Sequence, residues 1–450
     1  MRPLQRRELR MSPDDAQVAG ATMTGSAATV EHAAMANAVR FLSADAVQKA
    51  NSGHPGMPMG MADVATVLFA NHLKFDPAAP DWPDRDRFVL SAGHGSMLLY
   101  ALLYLTGYAD MTIGEIENFR QLGSKTAGHP EFGLAPGIEV TTGPLGQGLG
   151  MAVGLALAER HLNARFGDPI VDHWTYAIAG DGCMMEGVSH EAIGFAGHLG
   201  LGKLIVFWDD NGISIDGPTS LSDSMDHRAR FDAAGWQVLS ADGHDPDAVD
   251  AAILAAKADA RPSMIACKTV IGYGAPNKSG SAGVHGAPLG DDEIAATREA
   301  LGWPHAPFVV PEDVLEAWRA IGARGGAARG AWSDRLAQAP ADRQSEFSDA
   351  TAGGISEACG AALTAYKKTL AEEQPKRATR QSSGETLGVL AGECPDLVGG
   401  SADLTGSNNT LAPDMAALTR DAYDGRYIYY GIREFGMAAV MNGMARHGGV

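Results

Sequence analysis

The sequence predicts an α/β protein built on a doubly wound parallel sheet, followed by the start of a second α/β domain. Strand-like runs alternate with helical runs along most of the chain, the pattern of strand–helix–strand crossovers. Glycine is abundant, 56 of 450 residues, as many tight strand-to-helix turns require. Hydrophobic residues make up 45% of a chain too long for one typical domain, so two or more domains with buried cores are expected.

Residues 1–28 contain Arg2, Arg6, Arg7 and Arg10 but no apolar secretory core, and read as a flexible N-terminal extension. Apolar and alanine positions recur at helical spacing from Val30 to Asn51, with Gly53 as the stop. Strands are expected at Arg87–Ser91, Trp174–Ala179, Lys203–Trp208, Trp236–Ser240 and Ser263–Thr269, and helices at Ser96–Leu105 and Ser189–Leu199. Residues 29–321 form the first domain on this reading. Residues 322–374 are a connector, opening on a Gly-, Ala- and Arg-rich stretch. Residues 375–450 alternate again, with strands at Asp396–Gly399 and Arg426–Tyr430 and a helix at Glu434–His447. Because another strand should begin after Val450, the sequence reads as cut within its second domain.

The net charge of −19 supports solubility and argues against nucleic acid or anionic membrane as a main partner. No apolar run reaches the roughly 18 residues of a membrane span. Cys183, Cys267, Cys359 and Cys394 stand far apart and read as reduced thiols of a cytoplasmic protein, neither a disulfide frame nor a zinc site.

Ligands of open α/β sheets bind beyond the carboxyl ends of the strands, so the residues after each strand carry the chemistry. One strand ends in Gly-Asp-Gly around Asp181, and the next in Asp-Asp-Asn ending at Asn211, 30 positions later. A right-handed crossover brings both ends to one side. A carboxylate, an amide oxygen and a nearby carbonyl are hard ligands; two phosphate oxygens and a water would complete an octahedral Mg²⁺ site. Taken alone, Gly-Asp-Gly is as readily a turn and Asn211 a cap. TTGPLGQG over residues 141–148 places a glycine-rich loop before a helix, where free N–H groups meet anions. His94 in SAGHGSM stands where a strand gives way to a helix and can donate to a phosphate oxygen, neutral or charged. His54, His129 and His285 recur in Gly- or Pro-flanked loops, and imidazoles suit sugar hydroxyls and proton movement near neutral pH. Arg380 is a fork for a phosphate; Ser407, and Glu434 beside Arg433, read equally as surface positions.

SGHPGMPMG, FVLSAGHGSM, SKTAGHPE, TTGPLGQG, GDGCMMEG, DDNGISIDG, IGYGAPN, HGAPLG, GGSADLT and YYGIREFGM together resemble the transketolase family, in family order from about Val30 to Val450. The resemblance implies a thiamine-diphosphate-binding fold and reversible transfer of a two-carbon ketol unit between sugar phosphates, in the pentose phosphate pathway. It implies that Asp181, Asn211 and the Ile213 carbonyl hold Mg²⁺, with Ca²⁺ or Mn²⁺ able to substitute. His94, Gly143, Leu145 and Gly182 line thiamine diphosphate; His54, His129, His285, Arg380 and Ser407 face the sugar phosphate. Asp403 and Glu434 belong to the pyrimidine side, with Glu434, His285 and His54 in the catalytic roles, and Glu186 and Glu191 match acidic residues near a homodimer axis. Two departures are TRQSS, where many relatives carry Lys after the Arg, and TGSN, where Ala/Thr-Pro-Ser-Asn is commoner. Dihydroxyacetone synthase is a close alternative, and a shortened chain that binds cofactor without turnover is another.

Overall fold

In the computed structural model, which describes residues 30–450, the alternation becomes a five-stranded parallel sheet. The expected extension over residues 1–28 lies outside the described residues. Strands β1 (Arg87–Leu90), β2 (Thr175–Gly180) and β3 (Leu204–Asp210) are followed by a two-stranded antiparallel turn, β4 (Ile213–Ser214) and β5 (Gly217–Pro218). Strands β6 (Gln237–Asp242) and β7 (Ser263–Lys268) then complete a sheet ordered β1-β2-β3-β7-β6. The central strands are almost continuously apolar because helices cover the sheet. Ile178 pairs with Phe207 and Phe207 with Ile265, each fully buried. All five strands point the same way, so the loops after β1, β2, β3 and β7 open on one edge of the sheet.

The strands begin or end within two residues of the expected bounds. The first helix runs His32–Ala50 and stops earlier than expected: Asn51, at φ 48°, is the left-handed cap, ahead of Gly53. Within the connector, the helices Gly325–Gln338 and Ala341–Ala352 bury Trp332 and Phe347 against Trp82, Phe166 and Ile170.

The last segment carries strands β8 (Gly399–Ser401) and β9 (Tyr427–Tyr429), paired in parallel, and the expected helix Glu434–His447. That helix lies across helix Gln147–Phe166 of the first domain. A Cβ on Gly154 would stand 2.0 Å from the Val440 carbonyl oxygen, and one on Gly443 2.0 Å from that of Met151. Only glycine permits so close a crossing.

The expectation of four reduced thiols is corrected. Cys359 and Cys394 form a disulfide, while Cys183 and Cys267 are free and buried. Helices Glu357–Glu373 and Thr379–Glu393 fold back on each other, bringing the start of one beside the end of the other. A separation of 35 residues hid that hairpin from a reading of spacing. Among the described residues no helix is long and apolar enough to cross a membrane.

Candidate functional site

Asp181 is the first residue after β2 and is 7% exposed. Its Oδ1 accepts the Trp208 Nε1–H at 2.9 Å, and its Oδ2 accepts the Gly212 N–H at 2.9 Å. Gly212, at φ 72°, lies between Asn211 and Ile213, so the loop after β3 folds over this carboxylate and brings the backbone of that tripeptide beside it. Asn211 donates from Nδ2 to Asp209 Oδ2 at 2.9 Å, and its Oδ1 accepts the Ile213 N–H at 2.9 Å. Burial, with Asp210 nearby, pushes the Asp181 carboxyl up to about 6. A buried carboxylate held above its ordinary range is a group whose charge a cation stabilises. Among the described residues no group of three or more His, Cys, Asp or Glu side chains could hold a metal. One carboxylate, one amide and one carbonyl at this corner are the kind of mixed oxygen set that would suit a hard cation.

The glycine-rich loop lies beside this corner. A Cβ on Gly182 would stand 2.7 Å from Leu145 Cδ1, and one on Gly93 2.8 Å from the Gly143 nitrogen. Gly143, at φ 147°, would bring a Cβ within 3.2 Å of His129 Cγ. At the start of helix Gln147–Phe166, Ser91 Oγ accepts the Leu149 N–H at 3.0 Å and Gly146 O accepts the Gly150 N–H at 3.1 Å. The N–H groups of Gln147 and Gly148 have no protein acceptor among the described residues, as is usual for the first turn of a helix.

Three imidazoles form one cluster. His94 stacks on His285 with ring centres 5.1 Å apart, and His54 meets His94 and His285 edge-on at 5.1 and 5.8 Å. The loop after β3 reaches it: a Cβ on Gly286 would touch His54 Cδ2 at 3.2 Å and Ile215 Cδ1 at 3.5 Å. Reading the sequence missed Arg120, whose Nη2 stands 3.4 Å from His54 Nδ1 and whose Nη1 donates to Ser52 Oγ at 2.9 Å. Arg120 reaches this point from a residue at φ 60°, which no motif signals. His285 Nδ1, Arg120 Nε and Thr142 Oγ1 are buried without a hydrogen-bond partner among the described residues. Such orphaned polar atoms are costly unless a ligand satisfies them.

The cluster is neutral. Burial pushes His54 down to about 4, helped by Arg120 and the neighbouring imidazoles, and pushes His94 down to about 3. His285 is lowered by burial, and the more exposed His129 by partial burial and Arg120. His94 is thus a neutral donor or acceptor, the first of the two states its sequence setting left open. A base with a depressed native pKa binds fewer protons folded than unfolded, so it costs stability as pH falls below its unfolded value of about 6.5 toward its folded one. The C2–H resonances of His54 and His94 are expected to stay flat from about pH 5.5 to 8, while stability already begins to fall as the pH drops below about 6.5. An NMR titration with either midpoint above about 6 would show a wetter cluster than the packing implies.

The second segment stands apart from this group. Arg380, Asp403, Ser407 and Glu434 are solvent-exposed, and among the described residues none of the four hydrogen-bonds to the histidine cluster. The helix starting at Glu434 is anchored instead by the Gly436 N–H, which donates to Glu191 Oε2 at 2.6 Å. Within one chain, then, Glu434 does not join His54 and His285.

Residues 31–357 match the family model described as transketolase, thiamine diphosphate binding domain, and residues 375–450 the one described as transketolase, pyrimidine binding domain. The chain is 63% identical over 416 residues to a transketolase of Cereibacter sphaeroides, covering 92% of this chain and 63% of that protein. It is 57% identical to one of Rhodobacter capsulatus, covering 94% of this chain and 63% of that protein. Among solved structures, transketolase from Leishmania mexicana superposes with a TM-score of 0.88 at 43% identity, covering 94% of this chain and 63% of that one. A Pichia stipitis transketolase in complex with sedoheptulose 7-phosphate gives 0.87 at 41% identity, covering 93% and 64%. The chain thus spans a little under two thirds of the length of these relatives. With a family model matching well over half of it, and relatives sharing more than half of its residues, this chain belongs to the transketolase family.

Proposed function

We propose that this chain is the cofactor-binding part of a transketolase, which moves a two-carbon ketol unit reversibly from a ketose phosphate to an aldose phosphate. The observation that carries the reading is the convergence of His54, His94 and His285 beside the corner formed by Asp181, Asn211 and Ile213. Asp181, Asn211 and the Ile213 carbonyl hold the Mg²⁺; His94, Gly143, Leu145 and Gly182 line the diphosphate. Thiamine diphosphate, when bound, supplies the carbon nucleophile of ketol transfer. His54 and His285, neutral at working pH, orient the ketose and hand protons to or from its carbonyl and hydroxyl oxygens. His129, Arg380 and Ser407 bind the rest of the sugar phosphate. Asp403 and Glu434 serve the pyrimidine ring. Their exposure supports a homodimer in which this segment faces the partner subunit's histidine cluster. The sugar phosphate in the Pichia stipitis complex supports the substrate class.

The test is a coupled assay with xylulose 5-phosphate and ribose 5-phosphate on the complete polypeptide carrying this sequence. His54→Ala and His285→Ala are expected to lose roughly 10²- to 10⁴-fold in kcat/KM for the donor sugar while cofactor affinity stays within a few-fold. Loss confined to cofactor affinity would remove both residues from the sugar site.

A further inference from the structure

Helix Gly56–Val67 begins two residues after His54, and the segment after β7 ends on His285. These two stretches lie backbone to backbone. The Gly272 N–H donates to Gly56 O at 2.8 Å, and a Cβ on Gly60 would stand 2.9 Å from the Val270 carbonyl oxygen. A Cβ on Gly56 would stand 2.6 Å from that of Val284, the residue before His285. The relative position of His54 and His285 is therefore set by how this segment sits on the helix.

A buried polar chain fixes that seat. Asp63, on the same helix, is 6% exposed. It accepts from the Arg40 guanidinium, stands 3.2 Å from His32 Nε2, and is 3.0 Å from His244 Nδ1. His244, just past the end of β6, accepts the Val270 N–H on Nε2 at 3.0 Å. An Nε2 that accepts leaves the proton on Nδ1, so the ring donates to Asp63 and has one tautomer. Tyr273 is held between the His244 ring, 3.9 Å away, and the Arg40 guanidinium, 4.8 Å away. Arg40 also donates from Nε to Met59 O at 3.1 Å, locking the helix that bears Asp63.

We propose that Asp63 and His244 are positioning residues for the sugar site: through the Val270 N–H they hold the segment ending in His285 in register with the helix that follows His54. This rests on the sugar-site reading given above. Neither residue touches the substrate. Each acts by setting the separation of two imidazoles that must engage one ketose together, where displacement of about 1 Å can cost on the order of a hundredfold.

Two amide substitutions divide the chain of contacts. His244→Asn keeps a donor near Nδ1 for Asp63 but removes the acceptor for Val270. His244→Gln keeps an acceptor near Nε2 for Val270 and gives up the donor to Asp63. In the complete polypeptide, H244N is expected to lose roughly ten- to a hundredfold in kcat/KM for xylulose 5-phosphate, with H244Q restored to within about threefold of wild type and thiamine diphosphate affinity unchanged in both. Asp76→Asn, which weakens the 2.7 Å pair between buried Asp76 and the partly exposed Arg329, controls for stability alone and should leave the kinetics in place. A second readout needs no turnover: the imidazole resonances of His54 and His285 should move in H244N and not in H244Q or D76N. Equal kinetics and equal resonances in H244N and H244Q would overturn the proposal. Absence of ketol transfer by the wild type would sink the function and leave the resonances to decide the positioning.

Discussion

Asp181→Asn is expected to abolish Mg²⁺-dependent binding of thiamine diphosphate. Asp181 is the one carboxylate in the proposed ligand set, and an amide and a carbonyl cannot neutralise a divalent cation beside a diphosphate. Loss of partners outside a metal's own ligand set typically costs 10- to 100-fold in affinity, so losing the charged ligand should cost more than roughly a hundredfold. The asparagine keeps the shape of the side chain and an oxygen to accept from Trp208 or Gly212. Asp181→Ala would instead leave the buried Trp208 Nε1–H without an acceptor, at about 1–3 kcal/mol, and the half-buried Gly212 N–H as well, and so confuse binding with folding. Calorimetric titration with thiamine diphosphate, with and without Mg²⁺, separates the cases. An affinity in Asp181→Asn equal to that of the wild type would sink the metal assignment.

The legibility of this corner has a topological cause. In a parallel sheet, position in the sequence after a strand already fixes position in space, at the carboxyl edge. Asp181 and Asn211 each follow a strand that shows as an apolar run, so their meeting follows from the order of elements. The same logic placed His94 after β1. It gave less for His54, His129 and His285, which were singled out only as histidines among glycines. Their approach depends on close backbone packing, such as Gly56 under Val284, that no periodicity records. Arg120, Asp63 and His244 were not legible. Arg120 reaches the cluster through a left-handed residue, and Asp63 and His244 are joined by hydrogen bonds spanning 181 positions. A polar residue on a helix looks alike in sequence whether it faces water or a buried arginine. The cysteines misled for the same reason, since spacing carries no sign that two helices fold back on each other.

The glycines of helix Gln147–Phe166 show the same limit. An anion-binding loop before the helix accounts for Gly143 and Gly146 but not for the glycines further along. Gly150 and Gly154 lie against helix Glu434–His447 instead. A Cβ at 150 would stand 2.7 Å from Ala439 Cβ, and one at 154 only 2.0 Å from the Val440 carbonyl oxygen. The contact is reciprocal, because a Cβ on Gly443 would stand at the same 2.0 Å from the Met151 carbonyl oxygen. Backbone cannot swing aside as a side-chain tip can, so Gly154→Ala must push two long helices apart along the crossing. Helix propensity alone would favour alanine by about 1 kcal/mol. The steric term should exceed that gain, because overpacking a close-packed contact costs about 1–3 kcal/mol and two helices cannot separate without opening gaps beside Leu155 and Met444. Gly330→Ala is the matched control: it too lies within a helix, but its Cβ would meet nothing within 4 Å. Denaturant unfolding of the two variants should therefore give opposite signs, with Gly330→Ala stabilised by up to about 1 kcal/mol and Gly154→Ala destabilised. The loss in Gly154→Ala should also free the helix that starts at Glu434, seen as faster amide exchange at Gly436, whose N–H donates to Glu191. Stabilisation of both variants to the same extent would mean that these helices do not cross at their glycines, and that Glu434 is not carried on a helix docked to the first domain.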